Sequence, residues 1–101
     1  MMTVVTTTRV RPGGEAEWDA AVRARFDSAR QRPGWISGQL LTSDDESSIR
    51  VIVGTWESRE DWEAWHADPA FLDQRATLQR LEEEDSRVEW FRVVADARSR
   101  G

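Results

Sequence analysis

The chain has 101 residues, with 14 Lys+Arg against 19 Asp+Glu for a net charge of −5, and it carries six tryptophans, one histidine and no cysteine. That length suits one domain, residues 1–101, whose thin core buries only about two thirds of the surface exposed by the unfolded chain. The composition excludes disulfides and thiolate sites, makes nucleic acid and anionic membranes poor partners, and offers no apolar run near the ~18 residues of a membrane span. Every basic residue is arginine, which removes Schiff-base chemistry and a lysine base. The opening MMTVVTTTRV has neither the basic region nor the long apolar stretch of a secretion signal, so a cytoplasmic protein acting on a small molecule is expected.

The β-branched run at residues 3–10 predicts a first strand with Val4, Thr6, Thr8 and Val10 on one face. RPGG at 11–14 is a turn. Trp18, Val22 and Phe26, spaced by four, then mark the buried stripe of a helix running to about Arg32, where Pro33 and Gly34 end it. WISGQLLTS and IRVIVGTW, separated by DDESS, form a hairpin. Ser58 with Asp61 caps a short helix, and Asp68 before Pro69 starts another that the acidic EEEDS closes. RVEWFRVVA at 87–95 is the last strand. This order predicts an α+β fold: a ferredoxin-like split βαβ with a four-stranded antiparallel sheet carrying its helices on one face.

The last strand is apolar on both faces, with Val88, Trp90 and Val94 against Phe91, Val93 and Ala95. The third strand repeats this, with Val51 and Val53 opposite Ile52 and Trp56. A sheet covered on one side only should be polar on the other. Either an apolar face is tolerated in water, or a second copy covers it in a homodimer joined sheet on sheet, with Trp90 or Phe91 at the contact.

The runs RPGWISGQLL at 32–41 and TWESREDWEAWHADPAF at 55–71 resemble the antibiotic biosynthesis monooxygenase family, in which a PGF-x-G hairpin start precedes a strand ending in W-E-S and then a helix. The resemblance implies a dimeric α+β barrel with an apolar pocket between sheet and helices. It also implies oxidation of a small aromatic substrate by molecular oxygen, often with neither metal nor flavin.

The residues agree on what is missing. One histidine and no cysteine cannot make the usual nitrogen or sulfur metal site. The glycines at 13 and 14 are followed by acidic residues that would repel a pyrophosphate, and no serine sits in a nucleophile elbow. No cofactor is therefore expected. Chemistry in which the substrate supplies the electrons needs only a base, an oxyanion clamp and a dry pocket.

The candidate site centres on residues 56–75. Trp62 and Trp65 share a face of the short helix, and Trp56 ends the strand before it; the three indoles are either plain core or an aromatic slot. The resemblance implies the slot, with Trp56 and Trp65 at pocket positions. His66, four residues after Trp62, is either a solvated helical histidine or the base. Phe71, Leu78 and Leu81 set the buried face of the following helix, and Gln74 and Arg75 interrupt it. Arg75 either reaches solvent and pairs with Glu82 or Glu83, or points inward to clamp a phenolate. Haem-degrading relatives have a tryptophan matching Trp65, but they ligate iron with a histidine about where Gln74 or Arg75 stands and use an asparagine about where Thr7 or Thr8 stands. His66 and Arg75 are thus the expected catalytic pair, with Trp56, Trp62, Trp65, Phe71, Gln74 and Thr8 lining the substrate. Haem degradation, a cofactor-free cyclase or isomerase, and a non-catalytic dimeric binding protein are the alternatives.

Overall fold

The computed structural model describes residues 1–100. Its elements in chain order are β1 (Met2–Arg9), α1 (Glu15–Ala29), β2 (Trp35–Thr42), β3 (Ile49–Trp56), α2 (Arg59–His66), α3 (Pro69–Arg80) and β4 (Arg87–Arg92). The strands form one antiparallel sheet in the order β2-β3-β1-β4, the ferredoxin-like arrangement expected. Among the described residues no helix is long and apolar enough to cross a membrane.

Local chemistry explains the element ends. Helix α1 stops at Ala29, three residues before Arg32, because Pro33 disfavours helical geometry in the residue before it and Gly34 turns the chain at φ +85°. A side chain at Gly34 would also strike Asp61, with a Cβ only 2.1 Å from its carboxylate oxygen. The Ser58 hydroxyl caps α2 by accepting from Asp61 N–H, and the Asp68 carboxylate caps α3 by accepting from Ala70 N–H. Strand β4 ends at Arg92, not Ala95: it pairs only with β1, and that pairing runs out where Val93 N–H donates to the Met1 carbonyl.

All three helices cover one face. Val4, Thr8, Arg50, Ile52 and Trp56 point toward them, and cross-strand register puts Trp90 opposite Val4 on the same side. Trp90 meets the edge of Trp62 at a centroid distance of 4.8 Å. The open face carries Val5, Val51 and Val53 at the centre, with Leu41 and Phe91 exposed at its flanks. Of the two aromatic residues expected at a sheet contact, Phe91 is therefore on the open face and Trp90 is not.

The interior divides in two. Val10, Trp18, Val22, Leu78 and Leu81 form one cluster. Ala29, Trp56, Trp65 and Phe71 form the other, flanked by Trp35 and Trp62. At the first, Arg50 donates from Nε and Nη2 to the two oxygens of Asp19 at 2.8 and 3.2 Å, tying β3 to α1.

Candidate active site

The second cluster does not close. Gly38 and Gly54 are paired across β2 and β3 on the helix-facing side, so no side chain rises from the sheet there. Phe26 moves into the space over Gly38, within 2.9 Å of where a Cβ would sit, whereas a Cβ at Gly54 would meet only ordinary contacts, with Val4 Cγ1 at 3.6 Å and Trp56 Nε1 at 3.7 Å. The result is a cavity of about 720 Å³ between sheet and helices, large enough for a small aromatic ligand.

Six of the eight expected site residues line this cavity: Trp56, Trp62, Trp65, His66, Phe71 and Arg75. Trp56 and Trp65 lie 5.5 Å apart and tilted by 34°, and the edge of Phe71 meets Trp65 at 4.7 Å. Both earlier readings of the indoles hold together, since Trp56 and Trp65 are buried core and cavity wall at once. Thr8 and Gln74 are not in the lining. Thr8 is buried, and its hydroxyl is 2.7 Å from that of Ser86, which donates to Glu82 Oε1. Gln74 keeps its Oε1 buried without a partner.

His66 is packed against Trp62, Phe71 and Trp65 with centroids at 3.5, 4.1 and 5.0 Å. Its Nδ1 is 2.8 Å from the Trp62 carbonyl, which can only accept, so Nδ1 carries the hydrogen and Nε2 keeps its lone pair. Burial pushes the imidazole pKa down to about 4, opposed by the Trp62 hydrogen bond and aided by the charges of Arg25 and Arg75. The ring is thus neutral at physiological pH.

Arg75 lines the cavity but is exposed, which places it at the rim. The deeper cation is Arg25, absent from the expected set. It stands on the buried stripe of α1, three residues after Val22 and four before Ala29, and its Cζ lies 4.2 Å from the Phe71 ring centroid and 5.4 Å from that of Trp65. Its Nε is buried with no hydrogen-bond partner, and so is the Trp65 indole Nε1. Burial pushes the Arg25 pKa down to about 10, with Glu82 opposing and Arg75 adding to the shift. The sequence signal was present: a charged residue interrupting the 18–22–29 spacing is as unusual as Gln74 and Arg75 interrupting α3.

Residues 82–86 also line the cavity. Glu82 accepts from the Trp18 indole N–H at 3.2 Å and from the Ser86 hydroxyl at 3.2 Å, so both of its oxygens are engaged. Among the described residues, no group of three or more His, Asp or Glu side chains could hold a metal ion.

The family model for antibiotic biosynthesis monooxygenases matches residues 1–77. The fold is similar to that of SnoaB, a cofactor-independent oxygenase from Streptomyces nogalater, with a TM-score of 0.85 at 22% identity over 94% of each chain. It is equally similar to Rv0793 from Mycobacterium tuberculosis, with a TM-score of 0.85 at 22% identity over 96% of this chain and 98% of that one. No curated protein sequence matches this chain significantly.

Proposed function

The chain belongs to the antibiotic biosynthesis monooxygenase family, and from that premise we propose that it oxidises a small planar phenol, hydroquinone or anthrone with molecular oxygen, without a resident cofactor. The observation that carries the reading is the cavity itself: four indoles and two phenyl rings line it, and a neutral imidazole stands beside guanidinium groups. For an anthrone the reaction balances as CH₂ + O₂ → C=O + H₂O. The ring-activated C–H gives up its proton to the base, the resulting anion passes an electron to oxygen, recombination of the two radicals forms a C–O bond, and the proton returns from the base to the peroxide anion. Loss of water from that hydroperoxide leaves the quinone. The protein supplies a proton acceptor, stabilises the anion and excludes water.

His66 alone is a poor base for this step. A phenol near pKa ~10 lies ~6 units above an imidazole near 4, a gap of ~8 kcal/mol. The positive charges that depress the imidazole also stabilise a phenolate or enolate, so the gap closes mainly from the substrate side. Oxygen uptake on anthrone and hydroquinone substrates tests the reading. Wild type should turn over, and His66→Ala and Arg75→Ala should fall by roughly 10²–10⁴ if each acts as base or oxyanion donor. Equal rates in all three proteins would remove these two roles, and an inert wild type would remove the oxidation.

We also propose that the open sheet face of one single-domain protomer is covered by a second copy. Val5, Val51, Val53 and Phe91 form an apolar patch on that face, edged by Thr3, Thr7, Thr55, Arg87 and Glu89. Light scattering should give twice the protomer mass, and Phe91→Glu should give the protomer alone.

A further inference from the structure

We propose that Arg25, at the inner wall of the cavity, selects planar aromatic ligands bearing an ionised ring oxygen, a phenolate or enolate, and holds that oxygen against the Trp65–Phe71 wall. The inference rests on the oxidative reading above and narrows its substrate class. Its ground is an imbalance between two guanidinium groups. Arg50 places four of its five N–H donors, on both Asp19 oxygens, the Thr42 hydroxyl and the Ser47 carbonyl. Arg25 forms no ion pair or hydrogen bond among the described residues, and its Nε is buried without a partner. Ring faces at 4.2 and 5.4 Å offset part of the cost of burying that cation, but they accept none of its N–H donors.

No charged neighbour fills the role of counter-ion. Arg75, on α3, has the same sign, and His66, on α2, is neutral. Glu82, which lines the same cavity, attracts Arg25 without forming an ion pair, and its oxygens already serve Trp18 and Ser86. Glu83, Glu84 and Asp85 follow it in the lining, so an anion is favoured beside Arg25 and repelled beside those carboxylates. An unpartnered guanidinium edge between aromatic faces suits one ligand atom above others: an anionic oxygen in the plane of a flat ring system.

The test is spectroscopic and does not depend on turnover. 2-Hydroxyanthraquinone cannot undergo the oxidation, and its phenol and phenolate absorb at different wavelengths; its methyl ether is the non-ionisable control. Bound to wild type, the phenol should ionise at least one pH unit below its value in water, and above that value, where it is also ionised in water, it should bind at least tenfold more tightly than the ether. Arg25→Met should abolish both effects while binding the ether as wild type does. Arg25→Lys should keep part of the shift, and Arg75→Met most of it. Because the cation is unpaired without ligand, Arg25→Met should melt at or above the wild-type temperature; a variant that fails to fold overturns the proposal. So does an unshifted phenol in wild type, failure of wild type to bind the phenol, or a shift that Arg25→Met keeps and Arg75→Met loses. A shifted phenol without oxygen uptake on any anthrone would sink the oxidation and leave this site standing, and the converse result would do the reverse.

Discussion

The two halves of the interior share a sheet and helix α1 but follow opposite rules. At one end, Val10, Trp18, Val22, Leu78 and Leu81 interlock, and the polar groups among them are matched: the Trp18 indole on Glu82, Arg50 on Asp19. At the other end, Trp56, Trp65 and Phe71 surround empty space, and Arg25 Nε and Trp65 Nε1 are buried without partners. Buried polar groups are nearly always satisfied, and of the three buried donors without a partner among the described residues, two belong to residues that line this cavity, the third being Arg32 Nε. Helix α1 serves both ends: Trp18 packs in the matched cluster, Val22 belongs to that cluster and also lines the cavity, and Arg25, two turns after Trp18, lines the cavity without a partner for its Nε.

The largest expected effect sharpens this division. Trp18→Ala removes a fully enclosed indole and strands Glu82, which should cost about 3–5 kcal/mol in urea unfolding. Next is Arg50→Met, which leaves Asp19 without its partner. A fully buried pair would lose about 3–5 kcal/mol, and since the Asp19 side chain is 21% exposed, about 2–3 kcal/mol is expected. Trp65→Ala should cost less than either, about 1–2 kcal/mol, because it enlarges a cavity that already exists and removes an unpaired indole N–H. If Trp65→Ala proves as costly as Trp18→Ala, the aromatic end is ordinary core and the comparison fails.

Much of this was legible in the sequence. Ser58 and Asp68 announced the caps of α2 and α3, the alternation in residues 35–56 announced the hairpin, and the two-sided strands announced an open apolar face. The aromatic window at 56–71 pointed to the cavity wall. Three features were not legible. The face on which Trp90 falls depends on its register against Val4, which strand periodicity alone leaves undetermined. Thr8 was expected in the pocket but bonds Ser86, a residue 78 positions away whose approach is set by the crossover after α3. The placement of Arg25 is hidden for another reason: its charge interrupts the 18–22–29 spacing, but spacing does not tell whether such a side chain reaches out to solvent or turns into a cavity. Periodicity finds the residues that fill a core, and it is weak at finding the one polar group that a cavity keeps.

The smallest effect breaks or sharpens the comparison by pH. An unfolded chain takes up a proton at His66 near pH ~6.5, whereas the folded chain resists it until about pH 4, chiefly because the ring is buried among Trp62, Trp65 and Phe71. Across that interval the unfolded state binds more protons, so stability rises with pH and is lost on acidification from about 6.5 toward 4. Below about 4 both states are protonated and this group contributes no further loss. The whole shift would be worth about 3 kcal/mol, and solvent access to part of the ring reduces that to roughly 1–2 kcal/mol. Carboxylates throughout the protein also titrate at the acid end of this window, so the measurement is a difference. Urea unfolding at pH 7 and pH 4.5 should show wild type losing roughly 1–2 kcal/mol more than His66→Gln, whose neutral amide has no proton to take up. Parallel losses would mean that water reaches the ring freely and that the aromatic end is open, not dry. A steeper loss in wild type alone would locate the acid sensitivity at the cavity end of the interior, where Arg25 Nε and Trp65 Nε1 are buried without a partner among the described residues.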